Sequence, residues 1–147
     1  MKKSLAVIGL ALLLAVGLAV TPAAAAPKFE GTWTITDNYI DASGVVTGPL
    51  TRTMVLNKDA TNPSLFSGTI TFAGNISGTP DLYITGQMDS GANFHFAVSS
   101  LVDPLDLTKG FQIEAMGRGT VSSSNFTGSY SNMAGESGTL KGKKNKQ

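Results

Sequence analysis

A single histidine, His95, and the absence of cysteine limit the chemistry open to this 147-residue chain. One imidazole without thiolates supplies neither a zinc shell nor a Cys–His pair. Serines abound, so a Ser-His-Asp arrangement is formally open, but abundance is not geometry. His95 stands between Phe94 and Phe96 and falls on the opposite face of any strand they share, which makes it an outward histidine. Asp103 and Asp106 could pair their carboxylates, and Asp89 with Asn93 could offer oxygens to calcium. That ion takes about 6–8 oxygens, and neither loop supplies enough. Asx residues in turns bond their own backbone, so both pairs are read as shaping loops. The chain is therefore expected to be non-enzymatic, with no metal and no cofactor.

Binding chemistry has more to draw on. Trp33, Phe72, Phe94, Phe96, Phe111 and Tyr130 are the candidate ligand-binding residues, and their partner would be a small apolar or aromatic molecule. The same six could instead fill a core, because eight strands leave an interior only just wide enough for side chains, and the chain would then be an interaction or structural domain of the cell envelope with no pocket. Trp33 is the only tryptophan. It lies in Gly31-Thr32-Trp33-Thr34-Ile35, where alternation sends Trp33 and Ile35 to one face and the threonines to the other, so it is read as a plug at the centre of the fold.

The elements that must position these residues are short runs of Thr, Ile, Val and Phe in alternation, separated by Gly, Asn, Asp, Ser and Pro. The pattern predicts strands at Thr32–Thr36, Leu50–Asn57, Phe66–Phe72, Asp81–Met88, Phe94–Ser100, Gly110–Met116, Asn125–Ser131 and Gly138–Lys143, and no helix. Core faces are expected at Phe66/Gly68/Ile70/Phe72, Phe94/Phe96/Val98, Phe111/Ile113/Ala115 and Phe126/Gly128/Tyr130. Glycine among inward aromatics relieves crowding in a narrow interior. Turns such as Asp41-Ala42-Ser43-Gly44, Asp59-Ala60-Thr61-Asn62-Pro63, Asp89-Ser90-Gly91-Ala92-Asn93 and Asn132-Met133-Ala134-Gly135-Glu136 open on Asx, and most of them carry a Gly. Such reversals join antiparallel neighbours. Leu101 to Lys109 is read as a loop over one mouth. The expected fold is all-β, a single eight-stranded antiparallel up-and-down barrel over 29–144, with a two-sheet sandwich as the alternative.

Lys2-Lys3 followed by the apolar run Leu5 to Val20 and the cluster Ala23–Ala26 reads as a secretory signal peptide of bacterial type over residues 1–25. The run is shorter than the roughly 20 residues of a membrane-spanning helix. Cleavage leaves 122 of the 147 residues, 26–147, as one domain, expected in the periplasm or outside the cell. The sequons at Asn75 and Asn125 are discounted on that ground. Without cysteine, stability must come from packing and sheet hydrogen bonds. After cleavage 9 cations face 10 acids, and four of those cations lie in the tail 141–147. An acidic body with scattered cations is a poor surface for nucleic acid, and the tail is read as a solvated terminus guarding the last strand.

Gly31-Thr32-Trp33 opening an exported eight-stranded chain resembles the calycin barrels, meaning lipocalins, avidins and bacterial barrel-type protease inhibitors. The lipocalin resemblance implies a basic residue near the last strands packed over the tryptophan, with Arg118 the nearest candidate, although alternation turns Arg118 outward. The avidin resemblance does not carry biotin over, because that pocket is walled by several tryptophans. In the inhibitors an N-terminal trunk enters the protease, and Ala26-Pro27-Lys28-Phe29-Glu30 would occupy that place.

Overall fold

The computed structural model describes residues 29–146 apart from Ser90 and Pro104, so the expected leader and its cleavage site lie outside the described residues. Eight strands follow in chain order: β1 (Gly31–Ile40), β2 (Val46–Lys58), β3 (Leu65–Phe72), β4 (Leu82–Met88), β5 (Asn93–Leu101), β6 (Phe111–Val121), β7 (Asn125–Ser131) and β8 (Ser137–Lys144). Each pairs antiparallel with the next, and β8 returns to pair with β1 from Trp33↔Lys144 to Ile40↔Ser137, which closes the barrel and excludes the sandwich. The helical content among the described residues is one 3₁₀ turn, Leu107–Lys109, in the β5–β6 loop. No helix among them is long and apolar enough to cross a membrane.

The turns form as their residues dictate. Asp41 accepts hydrogen bonds at Oδ1 from Ser43 N at 2.9 Å, Ser43 Oγ at 2.6 Å and Val45 N at 2.9 Å, which closes the β1–β2 reversal. The Ser43 hydroxyl, with the amides behind it, holds the Asp41 carboxyl below its ordinary range. Asp59 is lowered in the same way by Thr61 and the amides beside it. Between β7 and β8, Asn132 Oδ1 takes Ala134 N and Glu136 N, and Gly135 adopts φ +83°, a left-handed conformation that side chains disfavour.

Inside the barrel the strands meet by pairing large residues with glycines directly across the ladder. Phe66 faces Gly86, Phe94 faces Gly119, Phe96 faces Gly117, Phe126 faces Gly142 and Tyr130 faces Gly138. Each ring lies over its glycine so closely that a Cβ there would fall 1.9–2.6 Å from ring atoms. The bare glycine is thus the space that the aromatic ring occupies, the arrangement by which curved sheets accommodate inward glycines.

One end of this interior is sealed. Phe29, just before β1, folds back into the barrel at 2% exposure, with ring centroids 4.8 Å from Phe66 and Phe94, 5.7 Å from Trp33 and 6.0 Å from Phe126. Trp33, fully buried, donates from Nε1 to the Phe29 carbonyl at 2.9 Å, so the indole satisfies its polar edge and fixes the entering chain together. Phe29 is therefore part of the core and not a free trunk. The basic residue over the tryptophan is Lys144, with Nζ 5.6 Å from the ring centroid. Arg118 points outward on β6, beside His95 on β5.

β6 corrects the expected core faces. Val98 pairs with Ala115 but Ser99 pairs with Ile113, so Glu114 is an extra residue in the ladder and the alternation changes phase there. Ala115, Gly117, Gly119 and Val121 face in, whereas Phe111 and Ile113 face solvent at 58% and 67% exposure. Phe111 packs on the outer surface against Tyr83, ring centroids 5.0 Å apart.

Truncating Trp33 to Ala removes the buried indole and the Phe29 anchor, and should lower the unfolding free energy by ~3–5 kcal/mol. His95→Ala, on the solvent face, should change it by less than ~0.5 kcal/mol. Denaturant melts of both variants check the pair. Gly142→Ala should destabilise by ~1–3 kcal/mol through the clash with Phe126. Gly128→Ala meets nothing nearer than 3.1 Å and should lose less, which thermal melts would read.

Candidate functional site

The inward stripe of β1 runs Trp33, Ile35, Asp37, Tyr39, and so carries the chain from an apolar plug to an acid within the same barrel. On β2 the stripe Leu56, Met54, Arg52 does the same in the opposite direction, and the two charges meet. Arg52 Nη2 lies 3.0 Å from Asp37 Oδ2, and the Tyr130 hydroxyl of β7 donates to Asp37 Oδ1 at 2.8 Å. Asp37 is buried at 4% exposure and is the one charged residue among the buried core positions described. Burial, with the Asp37 hydrogen bond next, pushes the Tyr130 phenol well above its usual range, so it stays a donor. The Arg52 guanidinium also stacks on Phe72, 4.0 Å from the ring centroid, and its buried Nε has no hydrogen-bond partner.

Around the triad the barrel opens into a cavity of about 230 Å³. Its floor is aliphatic: Ile35, Ile70, Leu82, Val98, Ala115 and Leu140. Asp37, Arg52, Tyr39, Tyr130, Glu114, Asn132 and Glu136 supply the polar part of its lining. Glu114, the bulged residue, accepts from Ser100 Oγ and from Gln112 Nε2, both on Oε1, and these bonds lower its carboxyl below the ordinary value, the Ser100 bond most. Tyr39 is pushed up to about 12, chiefly by its hydrogen bond to Glu136. The site is an apolar pocket with a polar collar that carries three carboxylates and one guanidinium.

Charge is unevenly divided between the two ends. The loops β1–β2, β3–β4, β5–β6 and β7–β8 all open on the cavity end of an up-and-down barrel. With the collar, that end holds seven of the ten acids of the chain, Asp37, Asp41, Asp81, Asp103, Asp106, Glu114 and Glu136, against Arg52 and Lys109. Lys143, Lys144 and Lys146 lie toward the sealed end.

Of the six aromatic candidates, only Tyr130 lines the cavity. Trp33, Phe94 and Phe96 are core, Phe72 is a part-exposed platform for Arg52, and Phe111 is on the outer face. Apart from Tyr130, the residues that make the cavity polar were not among the sequence candidates. Asp37 and Arg52 could have been found there, because each continues the inward phase of its strand, two residues beyond Ile35 and two before Met54.

The remaining candidates behave as turn and surface residues. Asp103 bonds Lys109 Nζ at 2.7 Å and Leu105 N at 3.0 Å, and Asp106 holds Thr108 N and Oγ1 at 3.1 and 2.6 Å. Asp89 Oδ2 lies 3.0 Å from His95 Nδ1 on the exposed face. That pair borders a broad depression of about 550 Å³ over the outside of β5–β7, where polar and apolar surface are about equal, whereas the recess inside the barrel is mainly apolar. Among the described residues no three His, Asp or Glu side chains converge as a metal site.

Because a buried ion pair binds its partners to each other rather than to water, losing one partner strands the other. Asp37→Ala should cost ~3–5 kcal/mol, and the double replacement Asp37→Leu with Arg52→Met should cost less than that single change. Urea melts of the two variants read the difference, and a double replacement that costs more than Asp37→Ala would mean that the two charges do not depend on one another.

No protein-family model matches the chain. No curated protein matches it either. A solved structure described as a redesigned beta barrel aligns with TM-score 0.53 at 12% identity, covering 80% of this chain and 91% of that one. Likeness at that identity is likeness of fold alone, and the fold it supports is the closed eight-stranded antiparallel barrel described above.

Proposed function

We propose that this protein is an exported, non-enzymatic binding module that holds a small apolar or aromatic molecule in the open end of its barrel. The observation that carries the reading is the aliphatic recess of about 230 Å³, sealed below by Trp33 and Phe29 and collared above by polar groups. Small-molecule sites combine those two features, apolar walls for affinity and a few placed polar groups for orientation. A barrel serving only as an envelope scaffold has no use for such a recess, and the glycine–aromatic pairs show how tightly the other half is filled. Export rests on the leader-like residues 1–25.

The recess has room for about eight water-sized groups at ~30 Å³ each. A ligand of that size gains at most a fraction of the affinity open to a larger one, so dissociation constants between micromolar and millimolar are expected. Titrating a methyl-labelled sample with phenol or indole should move the resonances of Ile35, Ile70, Val98 and Leu140 saturably. Ala115→Leu, which fills the recess from β6, should abolish those shifts while the barrel keeps its melting temperature within a few degrees. Unmoved methyl resonances at saturating ligand would show a barrel with no usable cavity.

A further inference from the structure

We propose that the open-end cavity takes a small cation, a protonated amine carried on an apolar or aromatic body. This deepens the binding reading above and rests on it. The collar carries Asp37, Glu114 and Glu136 against Arg52 alone, so the lining has a formal charge of −2. Arg52 holds Asp37 through Nη2 at 3.0 Å and lays one face of its guanidinium over Phe72 at 4.0 Å, and its partnerless Nε is buried. An anionic ligand reaching Arg52 would have to lie beside three carboxylates. An ammonium group meets the reverse situation: Glu114 receives Ser100 and Gln112 on Oε1 alone, and Glu136 receives Asn132 Nδ2 on Oε2 together with the Tyr39 hydroxyl, so each carboxylate, with about four lone-pair sites, keeps acceptor capacity for a further N–H.

The wider field points the same way. The seven acids and two cations at this end, opposed by the lysines of β8 and the tail, make the mouth negative and the sealed end positive, a distribution that draws cations toward the cavity. A bare divalent ion does not fit, since no three acidic or imidazole groups converge among the described residues. An amine needs only one or two carboxylates, and its apolar body accounts for the aliphatic floor that a simple ion would leave unused.

The test compares three probes of one shape and different charge by calorimetry on the purified protein near neutral pH: 2-phenylethylammonium, 2-phenylethanol and 3-phenylpropanoate. The ammonium should bind at least tenfold tighter than the alcohol, and the carboxylate weakest. The advantage should shrink as salt is raised from about 20 to about 200 mM, because a collar open to solvent is screened. Glu114→Gln combined with Glu136→Gln should reduce the ammonium-to-alcohol ratio below threefold. Equal binding of ammonium and alcohol, or tightest binding of the carboxylate, would overturn the charge preference and leave the cavity reading in place. Binding of none of the three up to about 10 mM, with the methyl resonances unmoved, would overturn both. The comparison on the unaltered protein decides the matter even where the double variant fails to fold.

Discussion

The interior of an eight-stranded barrel is one side chain deep, and that limited volume is the constraint on which the rest of this structure depends. Large residues cannot enter from every strand at one level. The chain meets the limit by setting an aromatic ring on one strand against a glycine on the next, as with Phe126 over Gly142 and Phe96 over Gly117. Those contacts also fix register. A slip of one residue would carry the ring to solvent and place a side chain where only a glycine fits. The pairings that fill the core therefore also specify which strand meets which, and where.

The two halves of the barrel use this volume differently. Around Trp33 the rings of Phe29, Phe66, Phe94 and Phe126 meet at centroid distances of 4.8–6.2 Å and fill the space. Toward the other end the inward residues are smaller aliphatics and the Asp37–Arg52–Tyr130 triad. Buried charges are costly to desolvate, and a partly satisfied group such as Arg52 Nε adds to that cost. An apolar plug at this end would have been the cheaper solution for stability alone. Keeping a charged collar above an aliphatic floor sacrifices packing in the one place where the barrel opens, which is where a ligand would have access.

The strands and most of their faces were legible in the sequence because a period of two is a local signal. Thr32–Thr36, Phe66–Phe72 and Phe94–Ser100 needed only alternation and flanking turn residues. The failures have specific physical origins. Phe111 and Ile113 alternate as a core stripe should, but the bulge at Glu114 shifts the phase, and a bulge leaves no mark in a local pattern. Phe29 lies outside any strand, so periodicity could not place it in the core. Ending the first strand at Thr36 hid Asp37, whose inward position follows once β1 is carried on to Ile40. The candidate site was missed for a related reason: aromatics were sought as its walls, whereas the barrel had already used them as filling.

The charge asymmetry is a property that no single stretch of sequence expresses. Asp41, Asp103 and Asp106 each act locally as a turn-former, with a carboxylate oxygen that caps backbone amides two to four residues ahead. In an up-and-down barrel, however, alternate loops gather at the same end. The topology therefore adds the first, third, fifth and seventh loops together and sets their acids around one mouth. Turn residues selected for local hydrogen bonding thereby become a field around the cavity, reinforced by Glu114 and Glu136 in its lining. The local bonds keep several of these acids ionised, since Asp41, Asp103 and Glu114 are all held below their ordinary values by the groups that donate to them. A negative mouth at neutral pH is then a consequence of how the loops are built, and a cation entering the barrel would encounter it before it reached the collar.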